Sequence, residues 1–203
     1  RMLLYRLTSP AFLLFHRLQR TLLQKDFKIF LRDSTQWSQF IIFFGLLGVY
    51  FFNLRRLPYN VDEPYWQSLV SFLNLSATAL TLCTFTSRFV FPMMSLEGKR
   101  FWVLGLFPIP RLEILKGKFL FSFFGSVMVS GILILISDSQ IRVPRWLFWV
   151  HLYMVVLVSL GLSGLSVGLG TLYPNFREDN PSKIVSGFGG TLNLLLGLVF
   201  ISA

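Results

Sequence analysis

Five long apolar stretches constrain the fold of this chain more than any other feature of its sequence. An α-helix rises about 1.5 Å per residue, so about 20 apolar residues cross the ~30 Å hydrocarbon core of a bilayer. Continuous apolar runs do not fit the alternating pattern of a membrane β-strand. The sequence therefore predicts an all-α integral membrane protein, a polytopic bundle of about five transmembrane helices. The predicted spans cover residues 36–54, 66–91, 119–137, 147–173 and 187–203.

The basic residues are gathered mostly on one side of these spans. The formal net charge is +10, a value that can indicate nucleic-acid binding. Here the Lys and Arg residues adjoin the apolar runs, where the positive-inside rule and anionic lipid head groups account for them. We therefore expect membrane lipids rather than nucleic acid as partners, and a cytoplasmic N-terminus.

The segment 11–31 differs from the five spans because cations interrupt its apolar residues. Apolar side chains recur there at roughly helical spacing, which predicts an amphipathic helix in the inner membrane interface. Residues 1–35 are accordingly expected to be cytoplasmic or interfacial, and residues 36–203 to form the transmembrane domain. A solvated basic leader is the alternative for this segment.

No sequence pattern for catalysis is present. The only cysteine, Cys83, lies within a predicted span, and no Cys/His spacing suits a metal. The phosphate-binding pattern Gly-x-x-x-x-Gly-Lys-Ser/Thr is also absent. We predict that the chain is not an enzyme and binds no cofactor. Cys83 is expected to pack in the bundle, and His151 to lie at the outer interface rather than in a proton relay.

Small and polar residues within the spans predict helix packing. Gly164 and Gly168 form a small-xxx-small motif that would let helices approach closely, within the bundle or at a dimer interface. Asn74 and Asn193 are polar at membrane depth, and interhelical hydrogen bonds are favoured over a substrate path for both. Arg88, near the inner end of its span, is expected to extend to the head groups.

Two cytoplasmic loops carry candidate contact residues. In the loop 92–118, Ser95 can begin a short aromatic and charged helix that Pro108 must end. Such a helix suits docking to a partner or anchoring in lipid, and residue chemistry does not separate the two. The loop 173–183 is expected to be solvated. Its alternative is a second cytoplasmic contact through Arg177, Glu178 and Asp179.

Three segments of the sequence combine charged and aromatic residues in a distinctive order. They are Lys25–Trp37 before the first span, Leu96–Trp102 with Pro108 and Lys116–Phe119, and Tyr173–Pro181 followed by Ser186–Gly190. These segments resemble ABC-2-type transporter permeases, and the last is similar to a bacterial branch of ABC exporters. Their order and spacing agree with that family over most of Lys25–Ala203.

The resemblance implies a transmembrane permease subunit of an ABC-type exporter in the bacterial inner membrane. A partner ATPase would bind ATP and Mg and drive substrate movement. A second permease half or a homodimer would complete the pathway, and a sixth span would follow residue 203. A non-transporting scaffold or regulator that docks a partner through residues 92–118 is the alternative.

The resemblance also assigns roles to residues on two cytoplasmic segments. A coupling helix that contacts the ATPase would contain Glu97, Lys99, Arg100, Phe101 and Trp102, and a connecting helix would contain Asp26, Lys28 and Arg32.

Overall fold

The computed structural model describes residues 17–32, 34–53, 64–100, 110–141, 143–178 and 180–202. Within these ranges every regular element is a helix. The α-helices are α1 (Arg17–Arg32), α2 (Ser34–Phe52), α3 (Pro64–Phe85), α4 (Arg111–Ile141), α5 (Arg145–Leu172), α6 (Pro181–Val185) and α7 (Phe188–Ser202). After α3 the chain forms a π-helical segment (Thr86–Val90) and two 3-10 segments (Phe91–Met93 and Ser95–Arg100).

Proline sets several of these boundaries. Pro64 and Pro181 are the first residues of α3 and α6, and Pro144 immediately precedes α5. Proline suits the first helical turn because its missing N–H would have no intrahelical partner there. The π-helical segment and Pro92 end the regular α-helix before the predicted span end at residue 91.

Three helical stretches are long and apolar enough to cross a membrane: Tyr65–Glu97, Arg111–Ile141 and Arg145–Leu172. Two shorter apolar helices, Ser38–Phe52 and Phe188–Ser202, lie in the first and last predicted spans. The predicted all-helical class is confirmed for the described residues. By length and composition, the structure supports three candidate spans rather than about five.

Helix α4 is the centre of the bundle and packs against α1, α2, α3 and α5, while α7 packs on α5 and α3. Phenylalanine rings fill much of the core, with Phe44, Phe51, Phe85 and Phe89 buried in one cluster. Edge-to-face and tilted ring pairs connect this cluster, including Phe44 with Phe85 at 5.5 Å between centroids. Such pairs add to the stabilisation from burial itself.

The antiparallel helices give the bundle two distinct ends. At one end, Gln67 Nε2 donates to the carbonyl of Ile141 at 3.0 Å, which joins the start of α3 to the end of α4. At the other, the backbone N–H of Asn175 donates to Ser95 Oγ at 3.0 Å. We refer to the latter as the Glu97 end, because Glu97 lies in the same 3-10 segment as Ser95.

His151 lies in the second turn of α5, near the end of the bundle, but its side chain is buried and does not face an interface as predicted. Helix α4 continues past the predicted span end at residue 137 to Ile141 and so includes Asp138. His151 Nδ1 lies 3.0 Å from Asp138 Oδ2, with both side chains about 95% buried. Each of these polar groups thus has a partner in the bundle, which reduces the cost of burying it.

Small residues on α5 allow close approach, but within this chain Gly164 and Gly168 are not where it occurs, and their role at a dimer interface stays a prediction. A Cβ added at Gly168 would meet nothing within 4 Å, and one at Gly164 would meet Phe119 only at 3.8 Å. The close approaches on α5 occur instead at Gly161, against the Phe200 ring, and at Gly170, where the Cβ would lie 2.6 Å from the Phe91 carbonyl oxygen.

The predictions for the two buried asparagines are confirmed. Asn74 Nδ2 donates to Ser137 Oγ at 2.7 Å, and Asn193 Nδ2 donates to Ser87 Oγ at 2.9 Å and Ser166 Oγ at 3.1 Å. Both amides therefore join different segments of the bundle.

Cys83 and Arg88 occupy contrasting positions near the end of α3. Cys83 is buried against Gly197 of α7, as expected for a packing residue. Arg88 is exposed, and its guanidinium carbon lies 5.3 Å from the centre of the Phe43 ring.

Candidate functional site

Two lysines and two carboxylates form an ionic cluster at the Glu97 end. Lys25 and Asp26 come from α1, Glu97 from the second 3-10 segment and Lys118 from α4. The side chains of Lys118, Asp26 and Glu97 are 2%, 4% and 7% exposed, whereas that of Lys25 is 33% exposed. Charged side chains are rarely buried to this extent unless they are paired.

Glu97 is the centre of the ionic cluster. Its Oε1 accepts hydrogen bonds from Lys25 Nζ and Lys118 Nζ, each at 2.6 Å. Asp26 Oδ1 lies 3.4 Å from Lys25 Nζ and 3.8 Å from Lys118 Nζ. Lys118 Nζ also donates to the backbone carbonyl of Met93 at 3.3 Å. One carboxylate thus joins three segments that are distant in sequence.

Apolar packing positions α1 for these contacts. Leu22, Leu23 and Asp26 are buried on α1, as the helical period requires for residues at i, i+1 and i+4. Gly117 of α4 admits this face closely, because an added Cβ would lie 3.3 Å from Leu22 Cβ. The same approach brings Asp26 near Lys118, the residue after Gly117.

The charges in the ionic cluster balance, with two cations and two anions. Partial burial of Lys25 lowers its pKa, but the charge of Asp26 and the hydrogen bond to Glu97 outweigh this, so the pKa of Lys25 is raised above 10.5. Lys25 therefore remains protonated at neutral pH.

A cavity of about 340 Å³ adjoins the ionic cluster. Its walls are mainly aromatic and aliphatic, with Phe30, Phe40, Phe85, Phe89 and Phe121 among them, while Asp26, Glu97 and Lys118 supply charge. The volume falls in the range of about 300–1,000 Å³ that is typical of small-molecule sites.

One oxygen of Glu97 is unusual for a buried carboxylate. Glu97 Oε2 is buried and has no hydrogen-bond partner among the residues that the structure describes.

The structure brings together only part of the predicted coupling and connecting residues. Glu97 and Asp26 meet in the ionic cluster, whereas Lys28 is exposed on α1. Arg32, Lys99 and Arg100 lie in helical segments, but their side chains are outside the described part of the structure. Phe101 and Trp102 are outside the described residues altogether. The contact roles of all these residues stay predictions.

The loop after α5 is exposed where it is described. Arg177 faces solvent, and Lys183 Nζ lies 3.5 Å from Glu178 Oε2 on the surface. Asp179 is outside the described residues. Such an exposed pair contributes little to stability, and a second contact in this loop stays a prediction.

Sequence reasoning missed Lys25 and Lys118 as partners of Glu97. It treated both as cations beside lipid head groups and placed Lys118 in a loop, whereas Lys118 lies in the third turn of α4 and is almost fully buried. The available signals were Asp26 on the apolar face of α1 and a lysine directly before a long uncharged helix.

The described residues contain no group of three or more His, Cys, Asp and Glu side chains that could hold a metal ion. The interactions that the ionic cluster makes are electrostatic, and they fix three segments of the chain to one another.

The family described as "Putative ATP-binding cassette" matches residues 5–203. Because the match covers nearly the whole chain, the chain belongs to this family, which places it in the context of ABC transporters. No curated protein and no solved structure matches it.

Family membership corrects the resemblance to ABC-2-type permeases. The matching family is described as an ATP-binding cassette, the nucleotide-binding class, and not as a permease. The permease and exporter function, and the scaffold alternative, are therefore not supported. The segments behind the resemblance are short charged and aromatic stretches beside apolar helices. Interfaces of many membrane proteins favour such residues, so they discriminate poorly between families.

Proposed function

We propose that residues 1–203 form a membrane-embedded helical part of an ATP-binding cassette protein, with ATP and Mg²⁺ bound outside these residues. The observation that carries the proposal is the distribution of polarity. Large apolar side chains cover the outside of the bundle, and Leu46, Phe72 and Met128 are each about two-thirds exposed. Soluble monomers rarely expose apolar surface of this extent, whereas a bilayer favours it.

The proposed position of the nucleotide site rests on the phosphate-binding loop that ATP binding requires. The family description assigns ATP binding to the class, but this sequence contains no phosphate-binding Gly-Lys-Ser/Thr loop. Such a loop connects a strand to a helix, and no strand occurs among the described residues. These two features support a nucleotide site outside residues 1–203.

The Glu97 end is the surface that suits contact with the nucleotide-binding part. The ionic cluster fixes α1 to α4 there, and Lys28 and Arg177 are exposed in segments of the same end. Another part of the assembly would therefore meet a surface with one defined arrangement. Lipids, and a second copy of this chain, would contact the exposed apolar faces.

Photoaffinity labelling with azido-ATP and Mg²⁺ tests where the nucleotide binds. The purified chain is irradiated beside a P-loop ATPase in the same detergent, which serves as the positive control. The proposal predicts labelling of the control alone. Saturable labelling of this chain that excess ATP prevents would contradict it and would place the nucleotide site here, as the family description suggests.

A further inference from the structure

We propose that the cavity beside the ionic cluster takes up the end of a hydrocarbon chain of a bilayer lipid, which enters through the side of the bundle near Met128. This site depends on the membrane embedding proposed above and adds one defined lipid contact to it. Three features of the cavity support it: its apolar walls, its length along α4 and the depth at which it opens.

The walls of the cavity suit hydrocarbon rather than water over most of their extent. Phe30, Phe89 and Phe121 contribute rings from α1, the π-helical segment and α4, while Met93 and Met128 contribute flexible thioether chains. Rings and methionines pack well against an alkyl chain and adapt to its shape. An apolar cavity stays dry, and its wall atoms then lack contact partners. A hydrocarbon guest supplies those contacts.

The cavity extends along one face of α4. Its wall residues on this helix recur every three or four positions, from Lys118 through Gly125 to Met128, which corresponds to about 15 Å of helix. The charged residues in the wall are paired at the Lys118 end. Beyond them the polar wall residue on α4 is Ser122, whose hydroxyl already donates to Ser163 on α5 at 2.8 Å. A space of this form fits an extended chain better than a compact molecule.

The cavity reaches the outside of the bundle near Met128. This residue is part of the cavity wall and is also about two-thirds exposed. At Gly125, one turn earlier, an added Cβ would meet nothing within 4 Å. Phe124 and Ile132, on either side of Met128 along the exposed stripe of α4, are each about half exposed. The opening therefore faces the apolar exterior that would contact lipid.

The depth of the opening selects the end of a chain rather than a head group. Met128 lies 17 residues from the start of α4 and 13 from its end, or about 26 and 20 Å along the helix. Head groups lie outside the ~30 Å hydrocarbon core. The opening is therefore near the middle of that core, where the neighbouring material is hydrocarbon. A head group would have to leave the interface to reach it.

Gly125 offers a way to fill the cavity without touching a charge. It lies on α4 in the cavity wall and has open space around it. Gly125→Leu should therefore occupy part of the cavity, and it also favours the helix. Gly131→Leu is the matched control, because Gly131 lies on the same helix, has equally open space and is not in the cavity wall.

The test is photo-crosslinking of the full chain in phosphatidylcholine vesicles that contain a trace of phosphatidylcholine with a diazirine on one acyl chain. One probe carries the diazirine at the last carbon of the chain, and a second carries it beside the carboxyl group. The labelled residues are then mapped. The first probe should label Phe89 and Phe121 in the cavity as well as exposed Leu46 and Phe72. The second should label the cavity at least about tenfold less.

The glycine variants separate the cavity from the lipid-facing surface. Gly125→Leu should lower the labelling of Phe89 and Phe121 at least about tenfold, and Gly131→Leu should leave it unchanged. Labelling of Leu46 and Phe72 in the same samples reports that each variant is still embedded.

Labelling confined to the exposed residues would overturn the lipid site and leave the membrane embedding in place. The same result is expected where a second copy of the chain or another protein fills the cavity. Absence of label from the exposed residues as well would contradict the proposed embedding too. Equal labelling of the cavity by the two probes, or an equal loss in the two glycine variants, would also overturn the lipid site.

Discussion

Lys118 shows at the scale of one residue how this fold uses charge. Its ammonium group is almost fully buried and bonds to Glu97, to the Met93 carbonyl and, more distantly, to Asp26. Replacing a complete buried ion pair by apolar residues is often neutral, because desolvation offsets attraction. Removing one partner is costly, because it leaves the other charge buried and uncompensated. Lys118 therefore matters chiefly because its partners are buried with it.

Lys118→Met should lower the free energy of unfolding by about 3–5 kcal/mol, the usual cost of breaking a buried pair. Lys116→Met is the control on the same helix. Its side chain is 51% exposed and pairs with Glu113 on the surface, so its loss should cost less than about 1 kcal/mol. Denaturant titration of both variants in detergent gives the comparison. Equal losses would show that the ionic cluster does not hold this end together.

For the ionic cluster, the sequence indicated individual residues but not which of them pair in the fold. Asp26 and Glu97 were assigned roles through the resemblance to permeases, which the family match corrects. Their pairing with Lys118 could not be predicted, because it depends on the approach of α1 to Gly117. Asp138 and His151 were missed for a similar reason: two helices from either side of a turn bring together residues 13 positions apart.

At the scale of elements, the apolar runs predicted the helices well because a buried or lipid-facing helix must be continuously apolar. Helices α2, α4, α5 and α7 all contain most of a predicted span. The span 66–91 is different, because its last residues change to π- and 3-10-helical geometry. That irregular stretch puts Phe89 and Val90 into the cavity wall. Local apolar composition carries no signal for such a change.

Close helix contact at Gly170 gives a prediction at this scale. Gly170→Ala would place a methyl group 2.6 Å from the Phe91 carbonyl oxygen, so the chain must shift. We expect it to lower the free energy of unfolding by about 1–3 kcal/mol, the range for overpacking. Gly168→Ala should be neutral or slightly stabilising, because its Cβ has open space and alanine favours helix.

Thermal unfolding of the two glycine variants in the same detergent provides the measurement. A larger loss in Gly168→Ala than in Gly170→Ala would contradict the account. That result would indicate that the small-xxx-small motif of Gly164 and Gly168 packs against a helix of a second copy of the chain.

At the scale of the whole molecule, the sides of the helical bundle differ from its two ends. The sides of the bundle are rich in exposed apolar residues, and the ionic cluster lies at the Glu97 end. The Asp138 and His151 pair lies towards the opposite end, where α4 finishes and α5 begins. This polarity, together with membership of the ATP-binding cassette family, supports a bundle that crosses a bilayer with its two ends on opposite sides.

Maleimide labelling of single cysteines from either side of the membrane tests that central claim most directly. Lys28→Cys and Arg177→Cys report on the Glu97 end, and Ser139→Cys on the other, since all three positions are exposed. Native Cys83 is buried and provides the unlabelled background. An impermeant maleimide should label only Ser139→Cys in intact cells, and only Lys28→Cys and Arg177→Cys in inverted vesicles. Labelling of all three variants from the same side would contradict a bundle that crosses the membrane.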